Sequence, residues 1–170
     1  HGVDINEQAI EITQLNLFLK LATSSQQLID LSKNLAIGNS LVDDSSVDSK
    51  AFDWDKEFPD KFDVIVGNPP YLRNITQEES SSEYFSKYES STGHYDYYVL
   101  FVEKALKLLN VDGKFGYIIP HKFFTLGYGK GIRKFISSKY YLSKLIDFGE
   151  LQIFNSATTY TCVILIDKNK

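Results

Sequence analysis

Phe62-Asp63-Val64-Ile65-Val66-Gly67-Asn68-Pro69-Pro70-Tyr71 is the stretch from which the rest of the chain is read. Its aromatic and β-branched start predicts a strand, and Gly67 to Pro70 stops that strand abruptly. Two successive prolines fix φ and remove two backbone donors, so the loop is stiff and its carbonyls stay available as acceptors. The side-chain oxygen of Asn68 beside the carbonyl of Pro69 makes a two-acceptor clamp, suited to an NH₂ group with two N–H donors. Tyr71 can stack on a planar partner. A rigid Pro-Pro turn with a buried tyrosine is the alternative reading of these four residues.

Upstream, Gly2-Val3-Asp4-Ile5 reads as the tail of a strand, and Asn6 caps a helix whose first turn holds Glu7. Ile10, Ile12, Leu15, Leu17, Leu19 and Leu21 give that helix an apolar face. Thr23 to Asp30 reads as a loop, and Leu35-Ala36-Ile37 as a short strand ended by Gly38-Asn39-Ser40. The aspartate-rich run from Leu41 to Asp60 reads as a surface connection with a helical turn at most.

Downstream, residues 72–93 are polar and read as a long loop. A helical stripe runs from Tyr95 to Leu109, and Asp112-Gly113 turns the chain into a strand over Phe115–Ile119, ended by Pro120. A helix over about 128–138 and strands over Leu142–Phe148 and Tyr160–Ile166 follow. Strands alternate with helices, which predicts an α/β fold with a mostly parallel sheet. Only Gly149 to Thr159 separates the last two strands, too little for a crossover helix, so the final strand is predicted antiparallel. Asp4, Asn39 and Asn68 each follow an apolar strand, at the carboxyl end where such sheets bind ligands.

The 170 residues are 43% hydrophobic and 24% charged, an ordinary globular composition. No apolar run approaches bilayer-spanning length, and the N-terminal residues lack a secretory pattern, which predicts a soluble, cytoplasmic chain without membrane contact. One cysteine, Cys162, excludes an internal disulfide and a cysteine-rich zinc site, and no metal site is predicted. A net charge of −4 gives no general footprint for a polyanion. The chain has no methionine and reads as a piece of a longer polypeptide.

With these motifs in order, the chain resembles the S-adenosylmethionine-dependent amino-methyltransferases. It is most similar to the N6-adenine DNA methyltransferases of restriction–modification systems, of the type II endonuclease-fused and type I modification-subunit kinds. The stretch from Phe62 to Tyr71 resembles their catalytic strand and loop. Gly2 to Asn6 resembles the acidic motif after the second strand, and Ile37 to Leu41 the motif after the third. Tyr95-Asp96-Tyr97-Tyr98 and Gly113 to Pro120 resemble later motifs. Gly149 to Ile166, with Phe154 and Ala157, resembles the closing hairpin.

The resemblance implies a partial Rossmann-like sheet over residues 1–170 as one catalytic domain, with 1–60 on the cofactor side, 61–170 carrying the catalytic loop, and no second domain. It assigns Asp4, Ile5, Asn39 and Ser40 to S-adenosylmethionine. Asp4 would take the ribose hydroxyls, Ile5 would pack on the cofactor adenine, and Asn39 would meet its amino group. Asn39 after a glycine also reads as an ordinary turn residue. Asn68, Pro69, Pro70 and Tyr71 are assigned to catalysis, with the target adenine flipped from double-stranded DNA between Tyr71 and Phe154. His94, His121, Arg133 and Lys134 are read as loop or solvated residues. The resemblance also implies that the first strand and its glycine-rich loop are missing here. The target-recognition region would lie elsewhere in the parent. The isolated piece is therefore expected to be inactive and to offer an edge for pairing with a second copy. The competing readings are an amino-methyltransferase acting on protein glutamine or RNA, and a non-catalytic interaction domain.

Overall fold

The computed structural model describes residues 1–23, 31–73, 83–154 and 159–168. The chain divides into two compact units, His1–Pro59 and Asp60–Lys170.

In the first unit, β1 (Gly2–Asp4) pairs in parallel with β2 (Leu35–Ile37), and Asp4 sits opposite Ile37. Helix α1 (Glu7–Thr23) starts as the sequence predicts, with the Ala9 N–H donating to Asn6 Oδ1 at 3.3 Å. Its apolar residues do not make one face. At 100° per residue, Ile10, Leu17 and Leu21 share one side, and Ile12, Leu15 and Leu19 share the opposite one. Ile10 is buried, whereas Ile12, Leu15 and Leu19 stand 60%, 58% and 57% exposed. The connection from Leu41 to Asp60 also departs from its reading as surface. Leu41, Val42 and Phe52 are buried, and Phe52, Trp54 and Phe58 form a ring cluster with centroids 5.2–5.8 Å apart. A Cβ on Gly38 would lie 2.7 Å from Phe52 Cβ, so only glycine lets that ring close over the end of β2. The one helical turn, α2 (Trp54–Glu57), is capped by Asp53, which accepts from the N–H groups of Asp55 and Lys56. The predicted loop over 24–30 lies outside the described residues.

The second unit is a four-stranded sheet in the order β3-β4-β6-β5. β3 is Phe62–Gly67, β4 Leu109–Pro120, β5 Tyr141–Asp147 and β6 Thr161–Asp167. β3 and β4 are parallel, and β6 runs antiparallel to both neighbours, as its short connection requires. Helix α3 (Tyr98–Leu108) makes the crossover from β3 to β4, and α4 (Gly129–Lys139) that from β4 to β5. Phe115, Tyr117 and Ile119 alternate into the core with Cys162, Ile164 and Ile166 across the β4–β6 pair. Tyr98, Val99, Leu100, Val102 and Leu106 of α3 are fully buried. Val64 and Val66 fall on the opposite side of β3, 62% and 75% exposed.

Two local expectations are corrected. β4 begins at Leu109, before Asp112-Gly113, and the predicted turn there is instead an irregularity in the β3–β4 register between Phe62 and Val64. The end of the polar stretch over 72–93 is packed. Tyr84, Phe85, Tyr88 and Ser90 are buried, and the wholly buried Glu103 carboxylate of α3 accepts from the N–H groups of Glu89 (3.1 Å) and Ser90 (2.7 Å). Lys107, one turn along α3, supplies its counter-charge. Residues 74–82 of that stretch lie outside the described ones.

Candidate active site

The second unit presents Asn68-Pro69-Pro70-Tyr71 immediately past the carboxyl end of β3. The register sets Gly67 opposite Tyr117, and a Cβ on Gly67 would lie 2.8 Å from the Tyr117 ring. Glycine therefore lets β3 run close to β4 up to its last residue. Asn68 is exposed, Pro69 buried and Tyr71 half-buried. The Tyr71 hydroxyl lies 2.6 Å from Asn68 Oδ1 and 3.1 Å from the Ile118 carbonyl, the backbone next to Tyr117. Burial pushes the Tyr71 phenol up to about 12, so it remains a donor at neutral pH. Asn68 Oδ1 keeps a second lone pair, and the Pro69 carbonyl takes no hydrogen bond among the described residues.

Past Tyr71 the loop is tied down. The Tyr97 N–H donates to Leu72 O at 2.9 Å, and Arg73 bridges Asp96 in antiparallel fashion. The Tyr71 ring meets the buried Tyr98 ring edge-on, with centroids 6.5 Å apart. The Tyr98 and Tyr128 hydroxyls are 3.0 Å apart, and Tyr128 donates to Asp96 Oδ2 at 3.1 Å. Burial raises the pKa of both phenols. The Tyr95-Asp96-Tyr97-Tyr98 stretch thus packs against Tyr71 and ties down the loop that follows it.

The same sheet end carries groups that the sequence reading left aside. His121 Nδ1, after β4, is 3.0 Å from Asp147 Oδ1 at the end of β5. The Gly149 N–H donates to that same oxygen at 3.0 Å. These two donors hold the Asp147 carboxyl below the usual carboxylate range, with the Gly149 N–H the larger cause. Both residues sit at carboxyl ends of parallel strands, and that position was the signal available in the sequence. Arg133, read above as solvated, is half-buried, and its guanidinium donates to the carbonyls of Phe123 and Leu126. Cys162 is buried, with its thiol pushed up to about 12 by burial and the nearby Asp147 charge. Phe154 lies on the β5–β6 connection and makes no ring contact among the described residues. Ala157 lies outside them.

In the first unit, Asp4 ends β1 with its carboxylate exposed. Oδ1 accepts from the Asn6 N–H at 2.8 Å, and Oδ2 has no partner among the described residues. Ile5 beside it is exposed. Asn39, past the end of β2, donates from Nδ2 to Asp48 Oδ2 (2.7 Å) and accepts at Oδ1 from the Leu41 N–H (3.1 Å). That is the turn geometry weighed in the sequence reading, with one lone pair of Oδ1 still available. The Ser40 carbonyl accepts from Trp54 Nε1 at 3.1 Å.

Residues 1–154 match the model of the Eco57I restriction-modification methylase family. The chain belongs to that family. It is 35% identical to the type II restriction enzyme and methyltransferase RM.Eco57I of Escherichia coli, over 99% of this chain and 18% of that protein. It is 36% identical to the type II methyltransferase M.BstVI of Geobacillus stearothermophilus, over 62% of this chain and 19% of that protein. This Eco57I-family chain thus spans about a fifth of these curated relatives.

Two solved structures share the fold over 99% of the chain at 19% identity. One is the methyltransferase subunit of a type I restriction-modification system from Streptococcus thermophilus (TM-score 0.70, 34% of that chain). The other is a DrdV–DNA complex (TM-score 0.75, 20% of that chain). The sheet is therefore the methyltransferase sheet expected from the sequence, mostly parallel with an antiparallel final strand.

Proposed function

We propose that this chain is the catalytic part of a restriction–modification enzyme that moves a methyl group from S-adenosylmethionine to the N6 amino group of an adenine in double-stranded DNA. The observation that carries this reading is the clamp: an exposed Asn68 whose amide oxygen keeps a lone pair, and a Pro69 carbonyl that takes no hydrogen bond among the described residues, on a stiff loop past β3 in a chain of the Eco57I family.

The residues of the first unit suit the cofactor. Asp4 holds out a carboxylate oxygen without a partner among the described residues, fitting a ribose hydroxyl, and exposed Ile5 offers apolar surface to a planar ring. Asn39 Oδ1 has a lone pair left for an amino group, and Asp48 fixes the amide so that this oxygen cannot exchange places with Nδ2. Ser40 continues that turn. When bound, S-adenosylmethionine supplies an electrophilic methyl on a sulfonium centre.

At the target base, Asn68 Oδ1 and Pro69 O accept the two amino hydrogens and aim the nitrogen lone pair. These acceptors strengthen as the nitrogen becomes positive, so they favour the transition state over the ground state. Pro70 keeps the loop stiff. The Tyr71 ring stacks on one face of the base and Phe154 packs on the other, at roughly 1–3 kcal/mol per stacked base. That offsets much of the few kcal/mol that flipping costs.

The test is to express the full-length protein in a host lacking DNA methylation and to sequence its genome for modified bases. N6-methyladenine at one recurrent sequence, absent with Asn68→Ala, supports the reading. Transfer only to protein or RNA, or modification at another base position, overturns it.

A further inference from the structure

Resting on that reading, the geometry assigns His121 and Asp147 as a positioning pair that sets the chain segment carrying Phe154, and with it the outer wall of the target-base site. His121 follows β4 and Asp147 ends β5, two strands separated in the sheet by β6. Their side chains meet across the start of β6, Nδ1 to Oδ1 at 3.0 Å. The backbone repeats the fastening on both sides of the same point: the His121 N–H donates to Tyr160 O at 3.1 Å, and the Phe148 N–H to Thr161 O at 3.2 Å. The His121 ring is further held by Phe124 (centroids 6.1 Å apart) and Tyr160 (5.8 Å).

From Asp147 the chain turns at once. Asp147 Oδ1 also accepts from the Gly149 N–H, Gly149 takes φ +57°, and the Leu151 N–H returns to Phe148 O at 3.0 Å. One carboxylate oxygen therefore joins the end of β4 to the turn that leads into Leu151–Phe154. Without the imidazole, the Asp147 carboxylate would keep, among the described residues, its local hydrogen bond from Gly149. The segment past Phe148 would then be set by the Phe148–Thr161 backbone bond and the local turn, with no side-chain tie to the end of β4, and a misplacement of about 1 Å at a reacting centre costs up to on the order of 100-fold in rate.

The experiment compares the full-length protein with its His121→Phe and His121→Asn variants. Phenylalanine fills the ring site without a donor, whereas the asparagine side-chain N–H stands near the Nδ1 position and restores one. Two readouts are taken. Hydrogen exchange of peptides covering residues 148–154 reports the segment itself and needs no DNA. Methyl-transfer kinetics, with 2-aminopurine replacing the target adenine in parallel duplexes, reports capture of the flipped base.

The pairing predicts faster exchange over 148–154 with phenylalanine and a loss of about 10- to 100-fold in kcat. It also predicts altered 2-aminopurine fluorescence, an unchanged melting temperature, and recovery of both readouts with asparagine. Unchanged exchange with phenylalanine overturns the positioning role. Faster exchange with undiminished transfer overturns its link to the base. Faster exchange in a protein that methylates no adenine leaves the pair standing and removes the function proposed above instead.

Discussion

Asn68 is exposed and its side chain accepts from the Tyr71 hydroxyl, so Asn68→Ala removes an acceptor without opening the core. Transfer should fall by roughly 10²–10³-fold or more, the scale seen when a preorganised hydrogen-bonding group is lost at a developing charge. The melting temperature should stay within a degree or two of the wild type. A parallel drop in stability would show that the residue works as a turn. Cys162 gives a second residue-scale prediction. Its thiol is buried and held near 12, so almost no thiolate exists at pH 8. A disulfide-exchange reagent should label it only after denaturant unfolds the sheet; rapid labelling of the native protein would contradict the burial. Asp48 sets a pH dependence. The Asn39 amide, then the Lys50 N–H, lower its carboxyl below the ordinary 3.8. A depressed folded-state pKa stabilises above the unfolded value and loses that contribution as pH falls through the folded one. Urea midpoints of wild type and Asp48→Asn should therefore differ at pH 6 and converge as the pH drops below about 4.

At the scale of elements, two contacts couple loops to the sheet. Gly67→Ala would push a methyl into the Tyr117 ring, 2.8 Å from the ideal Cβ position, at the last residue before the clamp. The expected cost is about 1–3 kcal/mol in denaturant unfolding, with activity falling further because the loop shifts with the strand. Glu103→Ala leaves the N–H groups of Glu89 and Ser90 without their acceptor beneath α3. A loss of about 1–3 kcal/mol is expected, with proteolysis enhanced near residue 90. Much of the element plan was legible in advance. The strand at Phe62–Gly67 announced itself by β-branching and a hard stop, and the antiparallel final strand by its short connection. The double-sided character of α1 lies in its spacing as well, because Ile12, Leu15 and Leu19 fall half a turn from Ile10 and Leu17. The burial of Leu41, Val42 and Phe52 was not legible, because their run is short and surrounded by aspartates.

For the whole molecule, β3 stands at one edge of its sheet with Val64 and Val66 exposed, and α1 of the first unit presents Ile12, Leu15 and Leu19 to solvent. Unpaired edges and apolar faces of this kind favour association. Sedimentation of the isolated 170-residue chain should show concentration-dependent self-association that Val66→Lys reduces. A strictly monomeric chain across the range would mean that the edge is guarded.

What the sequence by itself determined is local or nearly so: strand and helix order, from periods of 2 and 3.6, and the stiff loop with its Asn68 and Pro69 acceptors, from four adjacent residues. Tertiary structure alone decided which distant groups meet around that end of the sheet. His121 and Asp147 are 26 residues apart, Tyr98 and Tyr128 are 30 apart, and Tyr71 and Ile118 are 47 apart. They meet only because the order β3-β4-β6-β5 and its registers bring strand ends to one side of the sheet. Register is set by packing of the whole buried face, and no local period encodes it.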